Sequence, residues 1–295
     1  MAASTTANSE LTQEQVSTTL IKPLEQASVF LAAGPRIFDT AGGNTLRIPT
    51  MPALVDGDGE PFEHTFTGEN ELIPEAELAT DELVLLPSTM KSIKTITRYS
   101  NELARQSIVS LDAAIQARMV ADVAGAVDAR LLSASGDGVT EPQGMFAWDG
   151  TQELTTVGEL TLDALLEAQG LALTANVDIS ALRVFVRPSE YMQLRKLKDS
   201  DGRYLLQPDA TAAGGYTALG MPIAVSSRIP EGSAAVADVS QIAVARDVMP
   251  SVKVLTERYA DYDQQAIRVV SRFDAKPMQP AAVVKLTGIT QPAAP

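Results

Sequence analysis

"FVRPSEYMQLRKLKDSDGRYLLQP", Phe185–Pro208, changes character three times along its length. Its first residues complete an apolar run, Leu182–Val186, that reads as a buried strand. Ser189 is then expected to cap a short helix reaching Leu197. Asp199, Ser200, Asp201 and Gly202 come next, in an order that looks like the opening of a calcium loop. Such a loop needs oxygen ligands at alternate positions and a glutamate at the twelfth. Counted from Asp199, the fifth position is Arg203 and the twelfth is Ala210. The stretch therefore reads as a tight turn, in which aspartate side chains bond the local backbone and Gly202 takes a positive φ.

Working outward, strand and helix patterns alternate on both sides. Upstream, "TLDALLEAQGLALTAN" (161–176) reads as a helix with Leu162, Leu165, Leu166 and Leu173 inward. Downstream, strands are expected at Pro222–Ser226 and near Ile242–Ala245. Three more are expected in "VKVLTER", "QAIRVVSRF" and "AAVVKLT". Further upstream, Ile108, Leu111, Ile115, Met119, Val123, Val127 and Leu131 recur every three or four residues. They predict one amphipathic helix over Asn101–Ser133, capped by Asn101, about 50 Å long. Gly136 and Gly138 end it. Leu83–Tyr99 reads as a strand, Asn44–Met51 as another, and a short helical pattern runs from Pro23 until Gly34.

Pro52–Met90 holds ten acidic residues: Asp56, Asp58, Glu60, Glu63, Glu69, Glu71, Glu75, Glu77, Asp81 and Glu82. It has no lysine or arginine. "DGDGE" (56–60) reads as a hairpin tip, and Phe62, His64 and Phe66 alternate as on one face of a strand. The run has too few apolar residues for a core of its own, so it reads as a disordered segment, as an arm that docks elsewhere, or as a solvated acidic face. The sign then reverses at Lys91, Lys94, Arg98 and Arg105.

Composition narrows the chemistry. The 295 residues are 45% hydrophobic, enough for a sizeable core. With no cysteine, thiol nucleophiles, disulfides and thiolate metal sites are excluded. His64 is the only histidine, so no two-histidine metal site fits within one chain. A net charge of -14 makes the chain a poor general binder of nucleic acid. No apolar run is long enough to span a membrane. The N-terminus lacks a signal-peptide pattern. "DGDG" and "AGGN" do not match the spacing of a phosphate loop or a dinucleotide fingerprint. No cofactor and no enzymatic activity are expected. The rival from another class, a soluble α/β enzyme using Asp residues, lacks a histidine base.

The order of elements is the informative signal: arm, strand, acidic excursion, strand, spine helix, α/β body, returning strands. Together with "GNTLRIPTM" (43–51), "GDGVTEPQGMF" (136–146), Phe185–Pro208 with "LGMPIAVSSRIP" (219–230), and "DQQAIRVVSRFDAKPMQPAAVVKLTG" (263–288), it resembles the major capsid proteins of tailed bacteriophages. That fold is shared with encapsulins and the herpesvirus capsid floor. The resemblance implies an α+β chain with an N-arm, an extended β-hairpin loop, a long spine helix, and peripheral and axial domains. It implies residues 1–43 as the arm, 44–82 as the extended loop, 83–140 with 251–289 as the peripheral domain, 141–250 as the axial domain, and 290–295 as a flexible tail.

The resemblance also implies a shell subunit that assembles with itself into pentamers and hexamers around double-stranded DNA. A portal protein, and separate scaffolding or decoration proteins, would be its other partners. Assembly would take place in the host cytoplasm, without a membrane or sequence-specific DNA binding. An encapsulin-like compartment shell is the alternative. Only a short arm precedes the matching region, so a separate scaffold, or none, is expected. Some members crosslink through a lysine in the extended loop; Pro52–Met90 has none. Charge alone adds an expectation about the contacts. Asp56, Asp58, Glu60, Glu63, Glu69 and Glu71 are expected to meet a neighbour's basic face around Lys91, Lys94 and Arg98. A second face is expected along Arg183–Arg203, at Arg195, Lys198, Asp199, Asp201 and Arg203.

Overall fold

The computed structural model describes residues 28–40, 45–50, 62, 66–77, 81–102, 111–206, 217–255 and 257–290. Within them the chain forms a turn of helix α1 (Val29–Ala32), strands β1 (Arg36–Asp39), β2 (Leu46–Thr50), β3 (Asp81–Leu85) and β4 (Ile93–Ser100), and helix α2 (Leu111–Leu131). Next in the chain are strand β5 (Gln152–Gly158), helix α3 (Leu162–Thr174), strand β6 (Leu182–Val186) and helix α4 (Pro188–Lys196). The remainder is β7 (Thr217–Ala218), β8 (Met221–Val225), β9 (Ala234–Asp238), β10 (Ile242–Leu255), β11 (Gln264–Pro277) and β12 (Val283–Ile289).

Three sheets result. One runs β1-β10-β11-β4, a second β5-β12-β9-β6-β8-β7, and a third is the pair β2-β3. The spine helix α2 lies on the first sheet. Met119, Val123, Val127 and Leu131 are buried, as the periodicity predicts, and Val120 and Ala124 widen the stripe. They pack with Ile267, Val269 and Phe273 of β11 and with Tyr99 of β4. Ile108 lies outside the described residues. The same core continues to Trp148 and to Phe185 and Val283 of the second sheet, so one apolar volume joins both sheets. The other face of the second sheet makes its own core with α3, α4 and the strand ends.

Several local expectations need correction. Asn101 does not cap the helix: its side-chain amide donates to Asp263 Oδ1 at 2.6 Å, and Ser100 Oγ accepts from Glu102 N–H at 3.2 Å. Leu83–Tyr99 is not one strand. It breaks at Leu86, which sits at φ 53°, and resumes at Ile93. Buried Asp274 accepts from Leu86 N–H at 2.9 Å and Arg272 donates to the Pro87 carbonyl at 2.5 Å, fixing that break. Burial pushes the Asp274 carboxyl above its ordinary pKa, against the lowering by the Leu86 N–H. Helix α4 begins at Pro188, with Arg187 at the N-cap and no side-chain cap bond; Ser189 instead donates to Glu190 Oε2 at 2.5 Å. In α3, Leu165 is buried and Leu162 is half-buried, but Leu166 and Leu173 are exposed; Ala168 and Ala172 take the inner face. Ile242–Leu255 is one strand rather than two.

The N-terminal segment is tied to the spine. Ser28 caps α1 and donates to Asp128 Oδ1 at 2.6 Å, while Asp128 also accepts from Val29 and Phe30 N–H at 2.8 and 3.2 Å. Farther along, the buried Arg246 of β10 donates to both oxygens of Asp39 in β1, at 2.6 and 3.0 Å.

Candidate functional site

The "DSDG" segment is a hairpin finger beyond the end of α4. Lys198 and Tyr204 pair across it, and Leu205 N–H donates to the Leu197 carbonyl at 3.0 Å. Asp199 Oδ1 accepts from the backbone N–H of Asp201 and of Arg203, at 2.9 and 2.8 Å. Gly202 stands at φ 78°. The Asp199 carboxylate is thus spent on the turn, as aspartate–backbone chemistry predicts. Among the described residues, no group of three or more His, Cys, Asp or Glu is placed to hold a metal ion. The finger is nonetheless charged and exposed. Lys198 lies 4.9 Å over the Tyr204 ring, Arg195 lies 5.9 Å over Tyr191, and Asp201 and Arg203 face solvent. Met192, Tyr204 and Leu205 are exposed beside them. The structure therefore places Lys198, Asp199, Asp201 and Arg203 on the finger, with Arg195 in the last turn of α4 that leads into it.

A second surface comes from strand pairing. Lys94, Ile96 and Arg98 alternate along β4, at the edge of the first sheet. Residues directly opposite in a ladder share a face. Lys94 faces Val270, Ile96 faces Arg268 and Arg98 faces Ala266; Arg268 in turn faces Lys253 of β10. This is the side of the sheet away from α2. It gathers Lys94, Arg98, Lys253 and Arg268, and the three ladder rows through Lys94, Ile96 and Arg98 contain no acidic residue; Asp274, farther along β11, is buried on Leu86. Lys94, Arg98 and Lys253 are exposed. Arg268 Nε is buried and has no hydrogen-bond partner among the described residues. Arg98 and Arg258 both approach the Tyr259 ring, at 5.2 and 5.6 Å. The sequence points to Lys94 and Arg98 but not to Lys253 and Arg268. The signal of these two is a single cation inside each of two apolar strands, "VKVL" and "AIRVV", and only the register shows that they meet.

Lys91 belongs elsewhere. Its Nζ lies 3.9 Å from Glu141, which also pairs with Arg130 of α2. The Gly-rich passage leading to Glu141 is closely fitted. Asp137 Oδ1 accepts from Val139, Thr140 and Glu141 N–H at 2.8–3.0 Å, and Oδ2 accepts from the Thr140 hydroxyl at 2.6 Å. These bonds, the Thr140 hydroxyl first, lower the Asp137 pKa to about 2.

The acidic excursion leaves and returns through β2 and β3, which pair antiparallel from Leu46 opposite Leu85 to Thr50 opposite Asp81. Asp56, Asp58, Glu60, Glu63 and His64 lie outside the described residues. Glu69 and Glu71 are exposed on a turn that Glu71 closes by accepting from Gly68 N–H at 2.9 Å. Phe66, Leu72 and Ile73 are exposed, so residues 66–77 make no core with their own chain, whereas Leu85, Leu86 and Met90 at the end of the excursion are buried with Ala243 and Ala245 of β10.

The family model described as "Phage capsid family" matches residues 9–288. No curated protein matches the chain. Among solved structures, the capsid of the native GTA particle is similar at TM-score 0.69 and 16% identity, over 89% of this chain and 90% of that one. A chain of Mycobacterium phage Adephagia is similar at TM-score 0.69 and 16% identity, over 99% and 100%. A virus-like particle from Pyrococcus furiosus gives TM-score 0.59 and 13% identity, over 92% and 98%. These likenesses establish the tailed-phage capsid fold.

Proposed function

This chain belongs to the phage capsid family, and from that premise we propose that it is the major subunit of a closed phage head. Copies would assemble into pentamers and hexamers of an icosahedral or prolate shell enclosing double-stranded DNA. The role is structural rather than catalytic. A net charge of -14 suits a container that must not adhere to its contents. A portal protein, and scaffolding or decoration proteins, would be its partners in the virion.

One observation carries the reading. A single chain presents an acidic excursion whose Phe66, Leu72 and Ile73 are exposed and, separately, a four-cation sheet face with no ion pair to it among the described residues. Each lacks what the other offers. Contacts of this kind join unlike patches on successive copies and generate rings, and opposite potentials set register more than affinity. The finger at Lys198–Tyr204, with cations on its stem and Asp201 at its tip, would join copies around the ring axis in the same way.

Sheet membership suggests how the domains divide. β10 runs unbroken through residues 250 and 251 and pairs with β11, so we assign it whole to the peripheral domain with α2 and β4. β12 pairs with β5 and β9, and we assign it to the axial domain on that ground.

Lys94→Glu with Arg98→Glu tests the sheet face. The double variant should fold, with an unchanged circular dichroism spectrum, yet give at least tenfold fewer closed particles by electron microscopy. Particles in normal yield would contradict the assignment. An encapsulin-like compartment with protein cargo is the second reading, since the same fold occurs in a virus-like particle from Pyrococcus furiosus. Protein rather than DNA inside purified particles would select it.

A further inference from the structure

Helix α3 carries a glycine that its own packing does not require. Gly170 lies in the helix interior, where glycine is less favourable than alanine because it leaves more backbone freedom to be lost. A Cβ at Gly170 would meet nothing within 4 Å, so no neighbour among the described residues needs the space. The gap opens outward.

The residues around it form a shallow notch. Leu166, four positions before, and Leu173, three after, share the helix face of Gly170. Both are exposed, Leu166 by 55%. Asp163 and Glu167 lie on the same side and are exposed too. Neither carboxylate has an ion-pair partner among the described residues. This side is opposite to Leu165, Ala168 and Ala172, which pack on the second sheet.

The finger beyond α4 has the complementary composition. Tyr204 is 54% exposed, and Lys198 lies 4.9 Å over its ring. Arg203 is exposed beside it. A tyrosine ring buries a large area and has few rotatable bonds to order, which makes it an effective anchor. Laid over a glycine it approaches the helix backbone closely, with leucines on either side. Removing Leu166 and Leu173 from water would supply the apolar gain. The cations beside the ring would meet the carboxylates beside the notch, and that pairing of opposite charges would fix the orientation.

We infer that the finger of one copy docks its Tyr204 ring in the Gly170 notch of the next copy, with Lys198 against Glu167. The inference rests on the shell-subunit reading and names the surface that receives the finger. Finger and notch are different patches, so the contact is heterologous and passes from copy to copy around a ring.

The test uses the full-length chain under conditions in which the wild type forms closed particles. Dissociated Gly170→Ala and Gly170→Leu chains should keep the wild-type circular dichroism spectrum. Gly170→Ala should raise the thermal midpoint, since helix propensity improves and nothing is displaced. Gly170→Leu should nevertheless cut the yield of closed particles at least tenfold by electron microscopy. Glu167→Lys and Lys198→Glu should each lower that yield as well, and combining them should restore at least half of it. A thermal midpoint lowered by Gly170→Ala would show that the glycine serves the subunit's own fold, and would overturn the inference. Normal yield from Gly170→Leu, or no rescue by the charge exchange, would also overturn the docking and leave the shell reading standing. A wild-type chain that forms no particle under any condition that keeps it folded would remove both.

Discussion

Asp137 satisfies three backbone N–H groups with one oxygen, and its charge is what makes that arrangement favourable. Its folded pKa, about 2, lies below the ordinary 3.8. On acidification the unfolded chain takes up the proton first. The stability this group contributes is therefore complete above about pH 4 and is lost as pH falls through 2. For dissociated chains, Asp137→Asn should lower the thermal midpoint by a constant amount from pH 7 to 4, and the gap should close between pH 4 and 2. A gap independent of pH would show that the carboxylate's charge does not matter. Gly144, in the same passage, has no room for a side chain. A Cβ there would stand 2.2 Å from the Ser133 carbonyl oxygen. Gly144→Ala should cost at least ~2 kcal/mol in urea unfolding, because backbone rather than a flexible side chain must move. A loss under ~0.5 kcal/mol would mean the turn yields freely.

Helix α3 separates two kinds of leucine that look alike in sequence. Leu165→Ala should destabilise the chain by about 2–5 kcal/mol, the cost of a core cavity. Leu166→Ala should change it by less than ~0.5 kcal/mol. Equal losses in denaturant titration would mean the observed face is wrong. Leucines and alanines occur all round α3, so hydrophobicity alone selects no face. The small Ala168 and Ala172 are what let the helix approach the sheet. The spine helix is legible for the opposite reason, since its apolar residues keep to one stripe. β10 reads as two pieces in the sequence because Pro250 lacks an N–H; that proline falls where the β10–β11 register shifts between Val248 and Ser251, and such an irregularity tolerates it. β9, "AAVAD", gives no strand signal because alanine has weak strand preference, yet it lies between β12 and β6 with every residue buried. The DSDG turn is legible because its chemistry is local. The Lys94–Arg98–Lys253–Arg268 face is only half legible, because long-range register creates it.

At the scale of the whole molecule, what stands out is incompleteness. Within the acidic excursion, residues 66–77 leave Phe66, Leu72 and Ile73 exposed, while Leu85, Leu86 and Met90 at its end are buried against β10; the ladder rows of Lys94, Ile96 and Arg98 contain no acidic residue. Both conditions are unfavourable for an isolated chain and would be relieved by neighbours in a shell. The family membership and the order of elements point to the same conclusion. The most direct test is electron microscopy of the purified full-length chain, alone and with a co-expressed scaffold, at a concentration that keeps it folded. A shell subunit should give uniform closed particles tens of nanometres across, with pentamer and hexamer units visible in class averages. A chain that stays a folded monomer in both preparations would contradict it.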